Sequence, residues 1–268
     1  MDKFKYIQEG LKKIELTQGV KVLFACESGS RCWGIESEDS DWDVRFIYVK
    51  NTISWYLKMF RGSLRDVIEH PFGHMVDNID YSGWDVQKAL RLAAASNPAL
   101  MEWLRSPVVY SSHPPFVSEL KRLTQTYNPR PMIHHYLNLA VRQYKTYWRG
   151  EEPVSLKKYL YSIRPILCVM WMEENEYELP PVDIDTLVNG VKGLMIAERE
   201  AIKKIVDWKR SRKEYTTGRD QLLDLFIQDF TTAEKREKFL LHSPERLPNL
   251  EGYEELFLKV LDPRGFTT

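Results

Sequence analysis

Apolar side chains first recur along this chain at helical intervals. Phe4, Ile7, Leu11 and Ile14 fall near a 3.6-residue repeat with lysines on the other face, which predicts a helix over residues 3–17 that Gly19 ends. From Val20 the pattern changes. Val20-Lys21-Val22-Leu23-Phe24-Ala25-Cys26 is a short apolar run with β-branched residues, and it predicts a buried strand. A small polar turn, Glu27-Ser28-Gly29-Ser30-Arg31, follows, and polar residues run through Asp41. Residues 42–49 predict a second strand. Residues 66–71 and 75–84 predict two more, joined by a turn at Phe72-Gly73-His74.

From Asp85 the repeat is helical again. Val86, Ala89, Leu90, Leu92 and Ala93 form one apolar face, and Asn97-Pro98 restarts a helix that carries Leu100, Met101 and Leu104. Beyond residue 115 the pattern predicts helices near 116–126, 131–149, 155–175, 186–211, 217–228 and 232–241, separated by Pro/Gly punctuation. There is no internal repeat. The expectation is an α+β chain: a small mixed sheet with flanking helices over residues 1–110, then a mostly helical domain over 111–268.

Composition narrows the function. The 268 residues carry 38 Lys+Arg and 38 Asp+Glu, so the formal net charge is zero. That excludes binding of nucleic acid by bulk charge and moves the question to local patches. Cys26, Cys32 and Cys168 make no disulfide framework and match no zinc spacing. No apolar run is long enough to span a membrane, and the N-terminus lacks the apolar segment of a signal peptide. The expectation is a cytoplasmic protein of open oligomeric state.

The chemistry is concentrated in Gly29-Ser30 and Asp41-Trp42-Asp43. Alternate residues of a strand share a face, so Asp41 and Asp43 project together. Side-by-side carboxylates repel unless a cation or proton lies between them. Oxygen ligands of this kind suit Mg²⁺ or Mn²⁺ bridging to phosphates. Gly29-Ser30 follows a strand and precedes a possible short helix, where backbone N–H groups and a hydroxyl can cradle a triphosphate. A phosphate cradle beside a metal dyad is what phosphoryl or nucleotidyl transfer requires.

Gly-Ser, a spacer of about ten residues and Asp-x-Asp resembles the DNA-polymerase-beta-type nucleotidyltransferase superfamily. The wording Glu27-Ser28-Gly29-Ser30-Arg31-x-x-Gly34 with Ser40-Asp41-Trp42-Asp43-Val44-Arg45 is similar to its bacterial and phage RNA-repair-pathway, RNA-ligase-associated branch. Three later stretches fit that branch: residues 83–90, residues 97–104 with Ser106-Pro107, and Lys157-Lys158-Tyr159-Leu160-Tyr161-x-x-Arg164-Pro165. The likeness spans roughly residues 20–185. It implies a nucleotidyltransferase that moves a nucleoside monophosphate from a nucleoside triphosphate to an acceptor hydroxyl. It also implies a third carboxylate, with Asp80, Asp85 and Asp77 as candidates. The resemblance implies Asp80, which precedes Tyr81-Ser82-Gly83-Trp84 within the expected strand, as the third acid; Asp85 opens a helical pattern and has helix capping as its simpler task.

Around that core, Ser30 is expected to bind phosphate. Arg31 and Arg45 either neutralise the triphosphate or pair with local acids. Glu27 has no clear task beyond a structural hydrogen bond. Lys88, Lys157, Lys158 and Arg164 are further candidate nucleotide contacts, and Lys157 and Arg164, two helical turns apart, are expected to share a face. Residues 120–165 hold nine Lys/Arg against two acids, interleaved with Tyr136, Tyr144, Tyr147, Trp148, Tyr159 and Tyr161. Such a stretch is either a groove for single-stranded nucleic acid or a helix set whose aromatics are core. Residues 199–219 are a second basic run, with eight Lys/Arg against three acids. The six histidines, including His70 and His74, make no metal site. An RNA 3′ end, in a tRNA for example, is the expected acceptor. Nucleotidylation of a protein or small molecule, and a catalytically silent nucleotide or RNA binder, stand as alternatives.

Overall fold

The computed structural model describes residues 2–57, 66–73, 77–147, 154–212 and 218–262. Its strands are β1 (Val20–Ser28), β2 (Trp42–Lys50), β3 (Val67–Glu69), β4 (Ile79–Asp85) and β5 (Val109–Ser112). Its helices are α1 (Lys3–Gln18), α2 (Gly29–Cys32), α3 (Val86–Ala94), α4 (Pro98–Trp103), α5 (Pro114–Thr124), α6 (Pro129–Tyr147), α7 (Leu156–Glu174), α8 (Ile184–Gly190), α9 (Ile196–Arg210), α10 (Gln221–Thr231), α11 (Ala233–His242) and α12 (Leu250–Leu261). The chain is therefore α+β, with a five-stranded mixed sheet and a helical C-terminal region. Two compact units share it. One comprises residues 1–32, 41–127 and 247–268, and the other residues 33–40 and 128–246. The boundary expected near residue 110 falls inside the first of these.

In the first unit the sheet order is β3-β4-β2-β1-β5; β2 and β4 run parallel and the other neighbours antiparallel. Both faces are covered, which is why β1 reads as an apolar run from Val22 to Cys26, with Lys21 exposed near its start. Val44, Phe46 and Tyr48 of β2 face a core closed by Ile7, Leu11 and Ile14 of α1. Ile47 and Val49 face the other core, with Val86 and Leu90 of α3, Trp103 of α4, Phe116 and Leu120 of α5, and Tyr253 and Leu256 of α12. Trp84 and Trp103 stack there at 3.9 Å between ring centroids. By strand alternation Asp43 and Arg45 project on the Ile47 side, at the end of β2 beyond the core.

In the second unit α7 is buried along most of its length, from Leu156 to Met172. Residues 33–40 are tied to the same unit. Ile184 N–H donates to the Trp33 carbonyl at 3.0 Å, and Arg210 Nε donates to the Gly34 carbonyl at 2.8 Å. Lys209 Nζ reaches Ser37 Oγ at 3.2 Å, and Arg212 pairs with Glu38.

Several expectations change. The helix expected over 186–211 is two helices: α8 ends at Gly190, and Gly193 lies in the stretch before α9. Strand β4 begins only at Ile79, since Asp77 and Asn78 sit at positive φ of 53° and 59°. Strand β5 and helix α12 lie where the apolar pattern predicts no element. The turn at Phe72-Gly73-His74 lies partly outside the described residues.

Gly83 stands opposite Phe46 in the β2–β4 ladder, and a Cβ there would lie 2.1 Å from Phe46 Cε2. Gly83→Ala is expected to lower stability by about 1–3 kcal/mol through overpacking, read as a lower urea midpoint with unchanged slope.

Candidate active site

Strand register brings the acids together. In the parallel β2–β4 ladder Asp43 stands opposite Asp80, so the two carboxylates leave neighbouring strands on one face. Arg45, two residues along β2, shares that face. Its Nη2 lies 2.8 Å from Asp43 Oδ1 and its Nη1 2.9 Å from Asp80 Oδ2. Nη1 also donates to the Asp80 carbonyl at 3.1 Å. One planar fork thus joins both acids, a task that suits arginine and not lysine. His70 Nδ1 lies 3.4 Å from the other Asp80 oxygen.

The turn after β1 presses against Asp43. Gly29 has φ +61°, and a Cβ on it would lie 2.1 Å from Asp43 Oδ2. Only glycine supplies both the left-handed backbone and the space. Ser30 follows in α2. Arg31 turns toward β2, where its Nε donates to the Asp41 carbonyl at 3.2 Å and its guanidinium lies 3.9 Å from the centre of the Trp42 ring. Asp41 itself is exposed and precedes the first residue of β2.

Glu27 acquires a task that the sequence did not reveal. Its side chain is fully buried. Oε1 accepts the Asp43 N–H at 2.8 Å, and Oε2 accepts the Tyr110 hydroxyl at 2.5 Å. Its own carbonyl accepts the Ser106 hydroxyl at 2.7 Å, and its N–H donates to the Val108 carbonyl at 2.9 Å. The start of β2 is therefore fixed through a side chain of β1, which β5 holds in turn. Burial pushes the Glu27 carboxyl up to about 7, against the help of these two hydrogen bonds. Burial and the bond to Glu27 push Tyr110 up as well.

The other candidates separate from this cluster. Asp85 is buried and caps α3, accepting Gln87 N–H at 2.9 Å and the Tyr56 hydroxyl at 2.8 Å. The Asp77 carbonyl accepts Lys3 Nζ at 3.0 Å. Lys88 pairs with Asp66 at 3.2 Å. Lys157, Lys158 and Arg164 belong to the second unit. Lys157 is exposed whereas Arg164 is buried, with Nη2 donating to the Val182 carbonyl at 3.1 Å and its guanidinium 4.3 Å from the Trp33 ring centre. Lys157 lies over the Tyr161 ring at 5.5 Å, and Tyr161 meets the same Trp33 ring that Arg164 covers, so the two cations differ in burial while lying along one set of rings. Tyr136 and Tyr159 are core residues, while Tyr144 and Tyr161 are half-buried. The side chain of Tyr147, all of Trp148 and Arg149, and His74 lie outside the described residues. In the second basic run Arg199 caps α8 through the Val188 and Val191 carbonyls, and Arg219 pairs with Asp224 at 2.7 Å.

Asp41, expected to share a strand face with Asp43, lies before β2 and is exposed, so the acids that the sheet brings together are Asp43 and Asp80, and the cation lodged between them is a guanidinium. Among the described residues, no three His, Cys, Asp or Glu side chains are gathered closely enough to hold a metal ion. Among the same residues, no helix is long and apolar enough to cross a membrane.

Two comparisons bear on this geometry. A family model described as the RNA repair pathway DNA polymerase beta family matches residues 5–258. An uncharacterised protein of Bacillus subtilis (strain 168), YcgL, is 42% identical over 212 residues, covering 78% of this chain and 77% of that protein.

The buried Glu27 makes stability depend on pH in a defined direction. Its folded value of about 7 lies above its ordinary 4.5, so its contribution is complete below about 4.5 and is lost as pH rises to about 7. At about 1.4 kcal/mol per unit this amounts to about 3 kcal/mol. Glu27→Gln is expected to remove that part of the pH dependence. Urea midpoints of both proteins from pH 4.5 to 7.5 check it; parallel curves would exclude the titration.

Proposed function

The chain belongs to the RNA repair pathway DNA polymerase beta family, and on that footing we propose that it is a metal-dependent nucleotidyltransferase. It moves a nucleoside monophosphate from a nucleoside triphosphate to an acceptor hydroxyl and releases pyrophosphate. The observation that carries this reading is the Asp43–Asp80 pair on one face of the sheet, with the Gly29 turn packed on Asp43. Asp41, Asp43 and Asp80 would hold Mg²⁺ or Mn²⁺. Such an ion supplies charge neutralisation at the phosphates and lowers the pKa of an attacking hydroxyl.

The protein's own part is positional. Gly29 allows the close backbone approach that a triphosphate needs, and Ser30 offers a hydroxyl beside it. Glu27 fixes the backbone of Asp43, which keeps that carboxylate on the phosphate side of the strand end. Arg31 and Arg45 supply positive charge next to the acids, and Lys88 can do so on leaving Asp66. Lys157 and Lys158 supply it in the second unit. An RNA 3′ end is the acceptor that the family's description and the basic helices support. Cys26, Cys32 and Cys168 are buried and form no disulfide, which fits a cytoplasmic enzyme.

The test is transfer of label from each α-labelled nucleoside triphosphate, with Mg²⁺, to total cellular RNA and to total protein. Label is expected in RNA. Asp43→Asn and Asp80→Asn are each expected to reduce transfer by about 100-fold or more. Label in protein alone would remove the RNA acceptor. No turnover with any nucleoside triphosphate would remove the enzyme.

A further inference from the structure

The cation between Asp43 and Asp80 is covalently part of the chain. Arg45 is half-buried and ends in a fork with one nitrogen on each carboxylate, at 2.8 and 2.9 Å. The same fork donates to the Asp80 carbonyl at 3.1 Å and to the Val44 carbonyl at 3.3 Å. These bonds take up Asp43 Oδ1 and Asp80 Oδ2. Asp43 Oδ2 lies against Gly29, and Asp80 Oδ1 faces His70. A divalent ion shared by the two acids needs an oxygen from each.

We propose that Arg45 is a built-in counter-cation of the site: guanidinium and divalent ion compete for Asp43 and Asp80, and Arg45 must release its grip before the ion takes both. This rests on the metal reading of Asp43 and Asp80 given above. The arrangement has a use. Without the ion, two carboxylates on adjacent strands would repel and splay the strand ends, or would take up a proton. The fork bridges the two carboxylates and holds them aligned, and the loading step becomes an exchange of one cation for another.

The competition predicts an order of affinities that other roles for Arg45 do not. A guanidinium that merely orients the acids would leave metal binding weaker when removed. A distant positive charge would act alike as Arg or Lys. A competing fork gives tighter binding on removal and an intermediate value for Lys, which keeps the charge but cannot span both acids.

The measurement is binding of Mn²⁺ alone, followed by electron paramagnetic resonance, to the full chain in wild type, Arg45→Gln, Arg45→Lys and Asp43→Asn. Circular dichroism confirms that each variant is folded. The expected result is binding about tenfold tighter in Arg45→Gln than in wild type, with Arg45→Lys between them. Arg45→Gln equal to or weaker than wild type, or Arg45→Lys equal to wild type, overturns the competition while the metal site stands. Absence of Mn²⁺ binding in both wild type and Arg45→Gln, or Asp43→Asn binding as tightly as wild type, overturns the metal site itself and the competition with it.

Discussion

Two carboxylates facing the same way from adjacent parallel strands are an electrostatic problem before they are a site. The β2–β4 register places Asp43 against Asp80 at a backbone spacing of about 5 Å, where like charges raise each other's energy. The structure resolves this by placing a third residue of the same face, Arg45, so that its fork reaches both acids. Everything around the strand ends is arranged to keep that geometry. Gly29 leaves room for the Asp43 carboxylate, and Glu27 takes the Asp43 N–H.

Glu27 carries a cost that the rest of the unit must offset. A buried carboxyl is tolerated only when its oxygens have partners, and Glu27 has them on both. One is the Asp43 backbone and the other is Tyr110 of β5. The short edge strand is thus a second support of the dyad, acting across the whole of β1. The polar network specifies a position more than it adds stability, since the same groups replaced by apolar ones of equal shape would cost less to bury.

Parts of this were legible in the chain. A short apolar run with β-branched residues predicts β1, residues 42–49 predict β2, and the Gly-Ser and Asp-x-Asp spacing locates Asp43 and its glycine. Asp80 was chosen from three acids by resemblance, and its register partnership with Asp43 is a tertiary fact that no local pattern contains. Asp85 revealed itself locally, because a capping residue needs only the N–H groups that follow it. Glu27 did not, since its meaning depends on Tyr110, 83 residues later, on a strand of only four residues. Helix α12 escaped because Leu250 and Leu258 are largely exposed while Tyr253 and Leu256 are buried, which blurs the apolar repeat. The burial of Arg164 was not legible, because a seven-residue spacing fixes a helix face and says nothing of whether that face meets solvent.

The order in which the chain is delivered matters for the unit that holds the acids. Its sheet is complete in sequence by Ser112, yet Tyr253 and Leu256 of α12 still belong to the core on one side of it. Residues 33–40, between the Gly29 turn and Asp41, are meanwhile claimed by helices that are made much later, among them α8 and α9. During synthesis the sheet must wait with part of its apolar face uncovered until α12 has emerged. The helical unit, by contrast, needs only a short early segment to be held in reserve. No single cut through the polypeptide yields either unit intact, so the acids and the helices stand or fall as one translation product.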